Sequence, residues 1–291
     1  MSTDVRPFTT PDPVAELREV RGPSALGGGA RRFVDLLWLT AVTEFKRVYF
    51  GTVLGYLWSL IRPLMLFGVL LFVFTQVFKV GSEDVEHYAP LLLMGIVLYT
   101  FFQEATTNAV TSVVTQEGVV RKTQFPRLVI PLSTVLTGVF NLTLNLVIIV
   151  VFVFAFGVDP AWTWLLFPFC VLFLFILAAA VSMGLSVLYV RFRDIAIIWV
   201  VLAQVLFYGT PILYPVDFKG ETFERLMMIN PLAVIFEQAR VWVLHEPNAP
   251  TALQAANGWL GLLPAAAIFV FVCVLGAWIF KRDAPRVAEN L

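Results

Sequence analysis

The sequence predicts an all-α integral membrane protein. We expect six transmembrane helices, an N-terminal amphipathic interface helix, and an outer re-entrant helical hairpin between passes five and six. Of its 291 residues, 59% are hydrophobic and 14% are charged, whereas about 25% are charged in ordinary soluble domains. Several long stretches also lack charge, and about 20 mostly apolar residues are enough to cross the hydrocarbon core of a bilayer.

Residues 1–30 are predicted to be a disordered cytoplasmic tail, and residues 31–291 a single transmembrane domain. The tail contains four acidic residues, four prolines and the run Gly27–Gly29. It has no apolar core preceding a cleavage site, so it is not a secretory signal. Its composition is typical of disordered segments.

Residues 31–50 are predicted to form a helix that lies in the cytoplasmic interface of the membrane. Their apolar residues recur at helical spacing on one side, with charged and hydroxyl-bearing residues on the other. The apolar side consists of Val34, Leu37, Trp38, Ala41, Phe45 and Val48.

Six charge-poor stretches are predicted to cross the membrane, and short turns at 157–160 and 191–194 separate some of them. The predicted passes are 57–79, 88–110, 129–156, 162–189, 195–215 and 259–280.

Residues 216–246 do not fit as a span, because their apolar pieces are short and Glu237 and Arg240 lie in mid-run. Asn230 followed by Pro231 predicts a helix N-cap with proline at the first helical position. We therefore expect two short helices at the outer surface, which dip in and return. Irregular backbone at membrane depth must be shielded by protein or line a wet cavity.

The basic residues predict that both termini are cytoplasmic. With that orientation and six passes, sixteen lysines and arginines lie inside and four outside, as the positive-inside rule requires. The four outside are Lys79, Lys219, Arg225 and Arg240.

Several function classes are excluded by what the sequence lacks. It has no GxxxxGK[ST] phosphate-binding loop, no HExxH or GxSxG motif and no metal-ligand spacing. Its formal net charge of +0 gives no basic field for nucleic acid. His87 and His245 fall in separate outer loops, and isolated loop histidines are rarely catalytic. We therefore predict no catalytic site, no metal and no cofactor in this chain.

The cytoplasmic stretch VVRKTQFPRLVIP, residues 119–131, combines three cations with two prolines. It can be an ordinary positive-inside loop or a docking helix of about two turns for a cytoplasmic partner. Phe125 favours docking, because a large exposed apolar residue in a cationic loop needs a pocket. The residues alone leave the two interpretations equal.

Polar residues within the predicted spans raise two further alternatives. Arg62 lies just inside an apolar run, where it can extend to lipid headgroups or hold a phosphate of an anionic substrate. Glu104 lies in pass two beside other polar residues, where it can hydrogen-bond to a neighbouring helix or line a polar pathway.

Aromatic residues make up 14% of the chain, with 27 phenylalanines. Tyr99, Phe101 and Phe102 cluster near the polar end of pass two. Aromatic faces stack on sugar rings, so such a cluster would suit a glycan channel, although most membrane phenylalanines face lipid or core.

Six segments in order resemble the permease subunits of polysaccharide-exporting ABC transporters, the type-2 exporters of O-antigen, teichoic acid and cell-wall glycans. The segments are GTVLGYLWSLIRPL at 51–64, YAPLLLMGIVLYTFFQEA at 88–105, VVRKTQFPRLVIPLS at 119–133, YVRFRDI at 189–195, YGTPILYPVD at 208–217 and INPLAVIFEQAR at 229–240.

The resemblance implies a homodimer whose two copies form a channel in the bacterial plasma membrane, with two copies of a separate ATPase subunit that binds ATP and Mg. The exported substrate would be a polyprenyl-pyrophosphate-linked polysaccharide, such as O-antigen or a cell-wall galactan. It also favours docking for the 119–131 stretch. The implied ATPase-docking residues are Glu117, Val119, Val120, Arg121, Lys122, Phe125 and Arg127.

Substrate sites follow from the same resemblance. The candidates for the pyrophosphate are Lys46, Arg47 and Arg62. The candidates for the channel lining are Tyr56, Trp58, Tyr99, Phe101, Phe102 and Glu104.

Two other functions remain open at this point. A permease for a small molecule or drug would share the architecture. A membrane enzyme acting on polyprenyl lipid would need paired acids at a membrane face, but Asp194 and Glu104 each stand alone.

Overall fold

The computed structural model describes residues 29–49, 55, 57–77, 87–118, 126–216, 220–245 and 249–284, and every regular element in these ranges is a helix. The helices are α1 (Gly29–Tyr49), α2 (Leu57–Phe72), α3 (Tyr88–Thr115), α4 (Val129–Ala155), α5 (Phe167–Arg191), α6 (Ile195–Tyr208), α7 (Glu221–Met227), α8 (Pro231–Leu244), α9 (Ala252–Ala255) and α10 (Trp259–Asp283). A π-helical turn, Val73–Val77, continues α2, and a 3₁₀ turn, Trp162–Leu166, leads into α5.

Within the residues that the structure describes, five helical segments are long and apolar enough to span a membrane, and the bent pair α7–α8 would make a sixth. The five are α2 with its π turn, α3, α4, α5 with its 3₁₀ turn, and α10. The predicted all-α membrane fold is therefore confirmed.

Helix α3 is the centre of the bundle. Of its most apolar window, 83% is buried, against 11% for α2 and 11% for α10. It packs against α2, α4, α5, α6 and α8, and its apolar side chains supply much of the largest core cluster. Every residue from Tyr88 to Tyr99 is buried, and a helical segment that is apolar all round belongs in the interior, so this part of α3 organises the helices around it.

The N-terminal helix α1 packs along α4. Ala41 is fully buried, and its carbonyl accepts a hydrogen bond from Thr137 Oγ1 at 3.2 Å. The ring of Phe140 meets Trp38 and Phe45 edge-on, with centroids 5.3 and 5.5 Å apart. A helix is thus present where the amphipathic helix was predicted at 31–50, and it packs on the bundle around Ala41, while Val34 and Val48 of its apolar side are exposed.

The fifth pass is shorter than predicted. We expected 195–215, but α6 ends at Tyr208, and its 14 residues extend about 21 Å against about 30 Å of hydrocarbon. Gly209 and Pro211 follow directly, and proline clashes with a continuing helix. The prediction erred because the sequence remains apolar beyond the point where the helix ends.

An irregular segment, 209–216, follows α6 and is enclosed by protein. Thr210, Ile212 and Val216 are fully buried, and Tyr88 Oη donates to the Leu213 carbonyl at 2.8 Å. This satisfies the requirement that non-helical backbone at membrane depth be shielded.

The predicted helical hairpin is present as α7 and α8, whose axes meet at 112°, and its position at the outer surface stays a prediction. Asn230 caps α8 as expected, because its Oδ1 accepts a hydrogen bond from the Leu232 amide at 3.0 Å. Asn230 Nδ2 also donates to Thr210 Oγ1 at 2.9 Å. One residue therefore caps the helix and joins the hairpin to the irregular segment.

The last helix packs closely against α5 through small residues. A Cβ placed on Gly276 would lie 2.1 Å from the Ala180 carbonyl oxygen and 2.9 Å from its carbon. Small residues at such crossings let helix backbones approach within a membrane. Gly276 therefore fixes the spacing between α5 and α10.

Candidate functional site: a charged cavity between the first four helices

Helices α1, α2, α3 and α4 enclose a cavity of about 440 Å³, which we term the polar cavity. This volume is in the range of small-molecule sites. The lining residues are Glu44, Arg47, Val48, Arg62, Glu104, Ala105, Asn108, Thr111, Ser112, Thr115, Gln116, Thr134, Thr137, Gly138 and Asn141.

Arg62 and Glu104 form an ion pair in the polar cavity. Arg62 Nη1 lies 3.0 Å from Glu104 Oε1, and the pair joins α2 to α3 across 42 residues of sequence. The Arg62 side chain is 78% exposed and that of Glu104 is 34% exposed. The first alternative posed for Glu104 therefore holds, since it hydrogen-bonds to a residue of a neighbouring helix. Glu104 also borders the polar cavity, and its lining of a transport pathway stays a prediction.

Of the three predicted pyrophosphate ligands, the structure brings two to the polar cavity. Arg47 lines it together with Arg62, and Arg47 also pairs with Glu44 one turn earlier on α1. Lys46 is exposed on α1 and is not part of the lining. Whether any of the three binds pyrophosphate stays a prediction.

The remaining polar lining comes from one stripe on α3 and one on α4. On α4, Thr134, Thr137 and Asn141 line the cavity, and Asn145 continues the same face at helical spacing, over about 16 Å in all. Sequence reasoning missed this stripe, although a search for polar periodicity within the third pass would have found it. The hydroxyl and amide groups of this stripe make one side of α4 hydrophilic, although most of the helix is apolar.

A small chamber of about 20 Å³ borders the polar cavity and shares Glu104 and Asn141 with it. Asn145 lines the chamber, and its Nδ2 donates to the Ser59 carbonyl of α2 at 3.3 Å and to the Asn141 carbonyl at 2.9 Å. The amide of Asn145 thus links α4 to α2 next to the Arg62–Glu104 pair.

Two of the predicted docking residues lie in the described part of the chain, and they flank the stretch between α3 and α4. Glu117 follows α3, and Arg127 precedes α4 and donates a hydrogen bond to the carbonyl of Ala284. Val119, Val120, Arg121, Lys122 and Phe125 lie outside the described residues.

Three of the aromatic channel candidates need correction, because Tyr99, Phe101 and Phe102 are 1%, 4% and 2% exposed. Tyr99 packs edge-on against Phe207 of α6 at 5.2 Å. A side chain buried among the helices of its own chain cannot line a passage along the surface of that chain. Glycan-stacking and core-packing aromatics have the same sequence pattern, which explains the error.

Of the other channel candidates, Trp58 is exposed in the structure and Tyr56 lies outside the described residues. Trp58 is about half exposed and lines a second opening with Ser59, Arg62, Met65 and Glu104. A channel role for Trp58 and Glu104 stays a prediction.

A multi-pass helical bundle with charged residues inside candidate membrane spans is typical of transport proteins, in which such residues often mark substrate pathways. Residues 35–244 match the ABC-2 type transporter family, and the chain belongs to this family. It is therefore the membrane component, or permease, of an ABC transporter. As a permease it is not an enzyme in itself, and it works with an ATPase subunit.

Relatives with assigned names support the same class. The chain is 33% identical over 261 residues to the O-antigen export system permease protein RfbA of Klebsiella pneumoniae, covering 88% of this chain and 95% of that protein. A second K. pneumoniae protein of that name is 32% identical over the same length. A Myxococcus xanthus protein of that name is 26% identical over 250 residues, covering 85% and 92% of the two chains.

Proposed function

We propose that this chain is the membrane subunit of an ATP-driven exporter of polyprenyl-pyrophosphate-linked polysaccharide, such as O-antigen or a cell-wall galactan, in the bacterial plasma membrane. The observation that carries the proposal is the 33% identity over most of the chain with a permease named for O-antigen export. The polar cavity adds chemical support, because it holds two arginines, and guanidinium groups bind phosphate oxygens by paired hydrogen bonds.

In the proposed exporter, the anionic head of the substrate binds at Arg62. This arginine lies five residues into α2, about 8 Å from the helix start, which with cytoplasmic termini is near the inner leaflet. Phosphate groups of a lipid-linked substrate lie at that level, while the lipid tail extends into the hydrocarbon. Arg47 on α1 would meet the same headgroup from the interface side.

A homodimer is part of the proposal. Helices α2 and α6 expose large apolar side chains, including Val69 at 61% and Ile197 at 70%. The polar cavity beside α2 would be costly to leave against lipid. A second copy covering this side would enclose a hydrophilic passage, and each copy would bind one of two ATPase subunits through the stretch 117–127.

The test is deletion of the gene in its own host, followed by complementation with the unchanged gene. We expect surface polysaccharide to disappear on deletion and to return on complementation, as measured by gel analysis of extracted glycans. Unchanged surface glycan together with new sensitivity to a drug would contradict the proposal and would favour the small-molecule exporter.

A further inference from the structure

An apolar groove of about 570 Å³ lies between α5, α8 and α10, and we term it the lipid groove. Its volume is in the range of ligand sites. None of these three helices contributes to the polar cavity. We propose that the lipid groove is a fixed binding site for one acyl chain of a membrane phospholipid. The site is separate from the substrate path and does not depend on which substrate is exported.

The chemistry of the lipid groove matches a hydrocarbon chain. Among the described residues that line it, none is charged, and Gln238 is the single one with a side-chain amide. A ligand with polar groups along its length would lose hydrogen bonds to water there without replacing them, which is costly. An aliphatic chain loses nothing of that kind, so it is the ligand that this lining favours.

The lipid groove has a buried floor and an exposed rim. Cys170 of α5 and Ala265 of α10 are 4% and 3% exposed, whereas Leu263 and Val270 are 58% and 57% exposed. Helices α5 and α10 are both long and apolar enough to cross a membrane. The rim therefore opens to lipid, and a chain can enter from the bilayer without passing through the core of the bundle.

The length of the lipid groove corresponds to one leaflet. It follows α10 from Trp259, the first residue of the helix, to Val270. This is a distance of about 16 Å, close to half of a hydrocarbon core of about 30 Å. Trp259 is 76% exposed, and tryptophans are enriched where a span meets the membrane–water interface. We therefore expect the headgroup beside Trp259 and the chain alongside the first half of α10.

Small residues and one aromatic contact shape the lipid groove. Ala265 and Ala266 leave the space beside α8 that larger side chains would fill. Further along α10, Phe269 meets Phe173 of α5 edge-on, with centroids 5.8 Å apart. On α8, the residues from Pro231 to Trp242 that border the groove recur at helical spacing. A bound chain thus contacts one whole face of α8 and would help to hold the bent pair α7–α8 in place.

The placement of the lipid groove favours a phospholipid over two other occupants. In the proposed exporter, the second copy covers the side of α2 and α6, which leaves α10 facing the bilayer. The prenyl tail of a substrate would be attached to a headgroup at Arg62, on a helix that does not border the groove. A phospholipid has neither constraint, and phospholipids surround the whole bundle.

The experiment counts bound lipid by native mass spectrometry of the purified full-length chain. The protein is incubated in detergent with equal amounts of palmitoyl-oleoyl phosphatidylethanolamine and undecaprenyl phosphate, whose masses differ. We expect one phosphatidylethanolamine per copy to remain bound at a collision energy that removes other lipids. Ala266→Phe should lower that bound fraction about tenfold, because its ring excludes about two methylene groups of the chain.

A neighbouring alanine provides the matched control. Ala267 is exposed on the same helix but does not line the lipid groove, so Ala267→Phe should retain the lipid. A second pair tests the deeper end and serves if Ala266→Phe does not elute as a single peak in size-exclusion chromatography. In that pair, Val270→Trp should lose lipid, whereas Val274→Trp should not, since Val274 is 62% exposed and lies outside the lining.

The outcomes separate the possible occupants. Loss of phosphatidylethanolamine in either groove variant, with retention in its control, supports the site. The proposal is overturned if neither groove variant loses more lipid than its control, or if the unchanged chain retains no phospholipid. It is equally overturned if the unchanged chain retains undecaprenyl phosphate instead, or if Ala266→Phe disrupts a dimer without changing bound lipid, which would assign the groove to a second copy.

Discussion

Arg127 donates a hydrogen bond from its guanidinium to the backbone carbonyl of Ala284, which lies 157 residues further along the chain. Ala284 follows the last turn of α10, where helix carbonyls lack partners within the helix and cationic side chains are favourable. The bond therefore joins the entrance of α4 to the end of α10. It connects the proposed docking stretch to the C-terminal helix.

Replacing Arg127 by alanine should lower the thermal stability of the purified protein. The variant loses a hydrogen bond from a charged donor to a helix end, and we expect a loss of about 1 kcal/mol, which corresponds to about 2–4 °C in Tm for a chain of this size. Arg193→Ala is the control, because Arg193 is exposed and lies over the ring of Tyr189. Equal melting temperatures for the two variants would show that the Arg127 bond contributes nothing.

Gly276→Ala should disturb the packing of α10 on α5, because the added methyl carbon would lie 2.1 Å from the Ala180 carbonyl oxygen. We expect lower yield of monodisperse protein in size-exclusion chromatography and a clearly lower Tm. Gly68→Ala is the matched control, since a Cβ at Gly68 meets nothing within 4 Å. The close-crossing interpretation is wrong if both variants behave alike.

Asn230→Ala should loosen the start of α8. Loss of an N-cap costs about 1 kcal/mol, and here the bond to Thr210 Oγ1 is lost as well. Hydrogen–deuterium exchange should speed up over residues 231–244. Asn230→Ser can still cap the helix and should exchange more slowly than the alanine variant. An unchanged exchange rate in Asn230→Ala would contradict this role.

Phe125→Asp should abolish recruitment of the ATPase while leaving membrane insertion intact. The reason is that a charge replaces the apolar side chain expected to enter a pocket of the partner. The measurement is co-purification of the ATPase with the affinity-tagged permease. Phe192→Asp serves as the control, since Phe192 is an exposed aromatic in the turn between α5 and α6. Normal recruitment by Phe125→Asp would remove the docking role.

Arg62→Ala should weaken the stimulation of ATPase activity by lipid-linked glycan, measured on the reconstituted permease–ATPase complex. The guanidinium is the phosphate ligand in the proposed function, so its loss should lower the response several-fold. Arg225→Ala is the control, because Arg225 pairs with Glu221 at the surface of α7. If the glycan still stimulates ATPase activity fully in Arg62→Ala, then Arg62 contacts lipid headgroups and is not the phosphate ligand.

Local features of the fold could be predicted from the sequence. The cap of α8 depends on Asn230 and Pro231, which are neighbours in the chain, and the amphipathic pattern of α1 lies within one helix. The length of α6 was harder to predict, because the sequence remains apolar to residue 215 although the helix ends at Tyr208. The apolar composition predicted a longer helix, but Gly209 and Pro211 end it at Tyr208.

The candidate site could not be predicted in full, because it is formed by contacts between residues that are distant in the sequence. Arg62 and Glu104 were each recognised as unusual, but nothing in their spacing of 42 residues predicts that they meet. Tyr99 and Phe102, in contrast, were expected to line a channel but are buried in the core. Their burial follows from the central position of α3, and an aromatic cluster has the same pattern on a channel wall as in a core.

Helix α2 is held to the bundle by few contacts. Its buried side chains are Pro63 and Phe67, and its polar links to its neighbours include the Arg62–Glu104 pair and the bond from Asn145. Tilting this helix would uncover little of the hydrophobic core, so the energetic barrier to such a movement should be small. The wall of the polar cavity that α2 forms is therefore only loosely attached to the rest of the chain.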